Sequence, residues 1–266
     1  GRYELYGETV DFLSEKLGEL GSPEIIAGCP SCKKQLLSQG REKVRGIWEV
    51  LEELGLPETA EYRQRPMALH DACGARGDAQ TRESIRRLAE KLGCRIQDTP
   101  YSGDKAPCCG YGGLTQYTNR EVAGEMTESC LDRSPLPYLS YCMACRDRFA
   151  REGRESLHIL ELAYGAGAEN CPDISAKRYN RLGLKQQLWG EEVKTVDLGF
   201  EVEFSPEAEE RMDDRMILKS DVIQVLQHLR ESGEAVLEED TGLFVTRERL
   251  GNVTFWVKYR ETEKGY

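Results

Sequence analysis

Five cysteines fall into a pattern with chemical content. Cys73 stands alone, Cys108 and Cys109 are neighbours in "KAPCCGYGGLTQ", and Cys142 and Cys145 form a C-x-x-C, giving C-x34-CC-x32-C-x2-C overall. Thiolates are soft, strongly donating ligands suited to zinc or iron–sulfur clusters, and a cubane cluster or a tetrahedral zinc takes only four. The fifth is surplus to either. Two adjacent residues cannot easily aim both side chains at one metal, yet they can reach different irons of an opened or split cluster. Gly110, Gly112 and Gly113 let the backbone pass close by, where N–H groups can bond sulfur. The residue types alone leave three chemistries open: an iron–sulfur cluster, structural zinc on four of the thiols, or a metal-free redox dithiol at the vicinal pair.

Composition narrows the setting. The chain has 266 residues and ten cysteines. Disulfide scaffolds are typically small and secreted, so clustered thiols in a chain this long read more naturally as metal ligands. The formal net charge is −11, with Lys and Arg scattered among Glu and Asp. An extended phosphate-binding surface is therefore not expected, nor is nucleic acid as a partner. No apolar run approaches the roughly 18–20 residues that cross a bilayer, and no leader opens the chain, so the expectation is a cytoplasmic protein that does not span a membrane. The start at Gly1 and the end close to the strand-like "VTFWVKYRETEKGY" suggest a fragment of something longer.

The thiols need elements to position them, and a repeat supplies the first clue. "GCPSCKKQLLSQG" (Cys29, Cys32) and "YCMACRDRFAREG" (Cys142, Cys145) place a C-x-x-C at the same interval before Gly40 and Gly153, each followed by an apolar stretch read as helix. The second copy is preceded by Cys73, Cys108 and Cys109; the first has lost that front half. "PMALHDAC" (66–73), "CRIQDT" (94–99) and "PYLSYC" (137–142) read as strands, separated by helices at 81–93 and 119–132. This β-α-β-α-β order predicts an α/β fold with a parallel sheet, its ligands gathered beyond the carboxyl ends of the strands. Residues 1–57 are then the tail of a first repeat and 58–172 a complete cysteine-rich domain. Residues 173–266 hold a linker helix at 176–192 and a small α+β unit: helices capped by Ser205 and Ser220, then three antiparallel strands near 234–239, 243–248 and 253–260. Cys94, Cys130 and Cys171 read as buried small residues, His70 as a backbone-bonded histidine with proton transfer beside the thiols as the other reading, and His158 and His228 as parts of helical patterns.

The cysteine spacing with Gly110 resembles the CCG cysteine-rich domain of the heterodisulfide reductases, found also in the iron–sulfur subunits of glycolate and lactate oxidation systems. The resemblance covers about 66–165, with 1–57 as the end of a preceding copy, and all five motif positions are filled. It implies a [4Fe-4S] cluster, noncubane in the best-defined case, on Cys73, Cys108, Cys109, Cys142 and Cys145. It implies, further, an electron-transfer piece of a larger oxidoreductase, working between a flavin- or iron–sulfur-containing partner and a disulfide or quinone-linked acceptor. A zinc-stabilised interaction module is the alternative.

Overall fold

The computed structural model describes residues 3–62, 64–166, 171–190 and 199–266. The chain divides into two compact units, Gly1–Cys171 and Pro172–Tyr266. The first begins with α1 (Tyr3–Glu19), β1 (Ile25–Ala27), α2 (Pro30–Ser38), β2 (Val44–Gly46) and α3 (Ile47–Leu54), where β1 and β2 form a two-stranded parallel sheet. There follow β3 (Pro66–His70), α4 (Ala79–Lys91), β4 (Arg95–Asp98), the short α5 (Thr115–Thr118), α6 (Arg120–Leu131), β5 (Tyr138–Ser140), α7 (Met143–Arg151), β6 (Ser156–His158) and α8 (Ile159–Tyr164).

The expected parallel sheet is present, in the order β4-β3-β5-β6. It has one strand more than the sequence pattern predicts. Ser156–His158, expected to open a helix, is a buried edge strand, and helix begins only at Ile159. The same holds in the first copy, where Val44–Gly46 is strand and helix starts at Ile47. β5 and β6 are buried throughout and so carry no alternation of apolar and polar residues, as expected of a parallel strand covered on both faces. The first strand is also shorter than expected, ending at His70, so that Cys73 opens a 3-10 turn beyond it.

One core lies between the sheet and the helices carrying Ile85, Leu88, Leu92, Ile159 and Leu162, with Met67, Leu69 and Leu139 from the strands. Trp48 of α3 belongs to this same core, fully buried and edge-on to Tyr141 at 6.0 Å, and its Nε1 donates to Thr81 Oγ1 at 3.2 Å. Burying a side chain of that size contributes about 2–3 kcal/mol, so the first copy is fastened to the second by a real packing term. A smaller cluster on the sheet's other face joins Ala68, Cys109, Cys130, Leu131, Tyr138, Cys145 and Phe149.

The repeat extends to side chains. In the first copy the buried Lys33, one residue after Cys32, pairs with Glu49, whose Oε2 accepts from the Gly46 N–H at 3.0 Å. In the second, Arg146 follows Cys145 and pairs with Glu161 at 3.1 Å, while Glu161 Oε2 accepts from the His158 N–H at 2.7 Å. In each copy one glutamate thus closes the start of the last helix and grips the cation that follows the C-x-x-C.

The second unit contains α9 (Ile174–Trp189), α10 (Pro206–Asp214), α11 (Lys219–Ser232) and an antiparallel sheet in the order β7 (Val236–Glu238), β8 (Leu243–Leu250), β9 (Val253–Tyr259). The predicted linker helix corresponds to α9; residues 191 and 192 lie outside the described residues. Ser205 caps α10 as expected, accepting from the Ala208 N–H at 3.2 Å. The Ser220 cap is corrected: α11 starts at Lys219, and the Asp221 carboxylate reaches back to accept from the Leu218 N–H at 3.0 Å. In β9, Phe255, Val257 and Tyr259 are the more buried side chains and Thr254, Trp256 and Lys258 the exposed ones, as the alternation predicts.

Candidate metal centre

Three chain segments carry the five thiols, and each leaves the carboxyl end of a strand. Cys73 lies in the turn after β3, Cys108 and Cys109 in the loop after β4, and Cys142 caps α7 directly after β5. The structure brings all five into one connected set of interacting neighbours: Cys73 with Cys108, Cys108 with Cys109, Cys109 with Cys145, Cys145 with Cys142. All ten cysteines are free thiols. Among the described residues no three Cys, His, Asp or Glu side chains surround a single point as ligands of one ion would. The sulfurs neighbour one another pairwise, from Cys73 through to Cys142.

The members of the row differ in proton affinity, two lowered and three raised. Cys109 and Cys73 both donate to Cys108, and the N–H groups of Gly110 and Gly112 add to them, so the Cys108 thiol is held far below its ordinary value. Bonding from Cys145, which outweighs the opposing effect of burial with help from the N–H groups of Cys145 and Ala144, lowers Cys142 to about 6. The donors are pushed the other way. Cys109 rises to about 12, chiefly because it donates to Cys108, and Cys73 and Cys145 rise for the same reason, each toward its own acceptor sulfurs. A cation entering the row would replace those shared protons.

Polar residues to which the sequence pattern assigns no role fix the three segments to one another. Asp71, with its side chain wholly buried, accepts from the Gly103 N–H at 2.7 Å, from Tyr141 Oη at 2.9 Å, and from both terminal nitrogens of Arg86 at 2.8 and 3.2 Å. Its partners therefore lie on α4, in the loop leading to Cys108, and one residue before Cys142. Burial alone would raise its carboxyl, but the Arg86 bonds and those from Gly103 and Tyr141 bring it below its ordinary value. Arg76 Nε donates to the Ala106 carbonyl at 2.8 Å, and Arg82 bridges the Ala75 carbonyl and Asp104 at 2.8 and 2.7 Å. Thr127 sits 2.9 Å from the Cys109 carbonyl and accepts from Arg148 Nε at 2.8 Å, joining the vicinal pair to α6 and α7.

Gly110 shows why this loop needs glycine. Its φ is +94°, and a Cβ there would stand 2.3 Å from the Ala123 carbonyl oxygen. The vicinal cysteines are thus pressed against α6 as closely as backbone allows. Gly74 marks a second close approach, since a Cβ on it would lie 2.5 Å from Ser31 Oγ in the first copy's C-x-x-C. Cys29 and Cys32 are neighbouring free thiols, and Cys32 lies within electrostatic reach of Cys142. They adjoin the five-thiol row without entering it.

The remaining candidates take structural places. Cys94 is buried just before β4, and Cys130 is buried in α6, its thiol donating to the Cys108 carbonyl at 3.5 Å. Cys171, expected to be buried, is only half-buried, and its sulfur receives Arg146 Nη1 at 3.1 Å. His158 ends β6 rather than lying in a helix, and its Nδ1 accepts from the Leu160 N–H at 3.2 Å. His228 is on α11, beside Glu248 at 3.0 Å.

Residues 67–146 match the family model of the cysteine-rich domain known as CCG. This segment is a CCG-type domain. The match takes in all five thiols of the row and stops at Arg146, short of β6 and α8. CCG domains occur in iron–sulfur oxidoreductase subunits, which agrees in general kind with the chemistry the thiols suggest. No curated protein matches the chain. Among the described residues no helix is long and apolar enough to cross a membrane. The donor set of the CCG domain fits a metal group: soft sulfurs, two of them poised as thiolates, ringed by backbone N–H donors.

Proposed function

We propose that Cys73, Cys108, Cys109, Cys142 and Cys145 hold one iron–sulfur cluster of the [4Fe-4S] kind, and that the chain is an electron-transfer part of a larger oxidoreductase. The observation that carries this reading is the run of five neighbouring sulfurs, in which no three ligand side chains among the described residues gather about one point. A single zinc ion needs its ligands gathered about one centre at close to 2.3 Å, whereas a cluster of several irons would spread its thiolates over separate iron atoms. Such a run suits the second demand. The cluster would supply one-electron chemistry at a potential the protein sets.

The polypeptide's part is to hold five sulfurs in place, to direct the N–H groups of Gly110, Gly112 and Ala144 toward them, and to keep water from Cys109 and Cys145, which are 2% and 1% exposed. Electrons would pass between a flavin- or cluster-bearing partner and a disulfide or quinone-linked acceptor. The test is anaerobic reconstitution with iron and sulfide. About four irons and a similar amount of acid-labile sulfide per chain are expected, with broad visible absorption from thiolate-to-iron charge transfer. Cys109→Ser should lower that stoichiometry, and Cys94→Ser should leave it unchanged. One zinc per chain and no acid-labile sulfide in anaerobically prepared protein would overturn the proposal in favour of a structural module.

A further inference from the structure

We propose that His70 Nε2 donates a hydrogen bond to a sulfur of the group held by the five cysteines, and that this bond raises the group's reduction potential. The inference rests on the iron–sulfur reading above and adds a positioning residue to it. His70 closes β3, three residues before Cys73, and its ring lies within electrostatic reach of the Cys108 sulfur. The residue is 3% exposed, and Nε2 is buried with no hydrogen-bond partner among the described residues. An orphaned buried donor costs about 1–3 kcal/mol, and such groups in folded proteins nearly always have an acceptor.

The polar groups next to it in the chain and at the thiol loop are already engaged. Asp71 is occupied by Arg86, Tyr141 and Gly103, the Cys108 carbonyl by Cys130, and the Cys109 carbonyl by Thr127. An acceptor that the polypeptide does not contain would complete the site, and a sulfide or thiolate on the adjoining cluster is one. Phe149 meets the imidazole edge-on at 4.8 Å and fixes the plane of the ring. Burial depresses the imidazole to about 4, so at neutral pH it is uncharged and carries a single N–H. A neutral donor to sulfur favours the state with more electron density on sulfur, which is the reduced one.

The experiment uses the anaerobically reconstituted chain with 15N-labelled histidine. Pulsed EPR in the paramagnetic oxidation state should detect a histidine nitrogen coupled to the cluster. In His70→Gln, which retains an N–H donor, that coupling should vanish while the potential stays near the wild-type value. In His70→Phe the potential should fall. No nitrogen coupling in the wild type, coupling that persists in His70→Gln, or an unchanged potential in His70→Phe would each overturn the inference and leave the cluster reading standing. A wild-type chain that takes up no iron and sulfide would remove both. The wild-type measurement needs no variant, so a Phe substitution that fails to fold does not block the test.

Discussion

Asp71 is the residue on which the arrangement of the thiols most depends. It is a buried carboxylate bonded to partners in three segments, and removing one side of such a set leaves the other uncompensated. Asp71→Ala should lower the stability of the first unit by about 3 kcal/mol in urea unfolding, through the freed Gly103 and Tyr141 donors and an Arg86 charge left with Asp98 alone. The pH dependence has a definite sign. The folded carboxyl sits below its ordinary value, so its contribution is complete above about pH 4 and fades as pH falls through the folded-state value. The gap between wild type and Asp71→Asn in acid denaturation should therefore narrow below about pH 4; a gap that widens there would contradict the role given to Asp71. The five thiols are legible in the sequence because their spacing is a pattern in its own right. Asp71, Thr127 and Arg148 are not, since each is a single polar residue whose partners at the site are 15 to 70 positions distant. The only nearby signal is that Asp71 follows an apolar strand and precedes Cys73 by two residues.

At the scale of elements, the parallel sheet and the major helices follow from hydrophobic period and capping residues. The unexpected strand has no such mark. Ser156–His158 has three residues, too few to display a period, and it runs without glycine or proline into the apolar α8. The turn between them is made by Glu161 folding back on the His158 N–H, a capping arrangement in which the residue at the helix entry is not one of the usual hydroxyl or carboxamide types. Asp221 misleads in a similar way at α11, taking the capping role that Ser220 would otherwise have. Two substitutions test these elements. Gly110→Ala adds a Cβ into the Ala123 carbonyl at a φ that L-residues avoid, and should cost at least about 2 kcal/mol by thermal or chemical unfolding while lowering iron uptake. Lys33→Met leaves Glu49 buried without its cation and should cost about 3 kcal/mol. If Lys33→Met were neutral, the fastening of the first copy would rest on Trp48 and its neighbours alone.

For the molecule as a whole, metal and folding should be coupled. The row of thiols shares protons that a bound cluster must displace, so uptake should weaken as pH falls, and a competition titration against a chelator between about pH 6 and 8 should reveal it. A ligand that binds only the folded state at a thousand times its dissociation constant adds on the order of 4 kcal/mol. Calorimetry should accordingly show the transition of the first unit moving upward on loading, and the transition belonging to residues 172–266, which hold none of the five thiols, staying where it was. A uniform shift of all the heat absorption would place the metal's influence beyond the cysteine-rich unit.

The carboxylate of Asp71 also bears on speed. Because it ties the approaches to Cys73, Cys108 and Cys142 together through short bonds, the thiols sit in a frame with little freedom to breathe. A frame that stiff moves few nuclei when the charge it encloses changes by one. On the electron-transfer reading proposed above, the reorganisation energy of each electron hop would then be small, and exchange with a docked partner could run fast on a modest driving force.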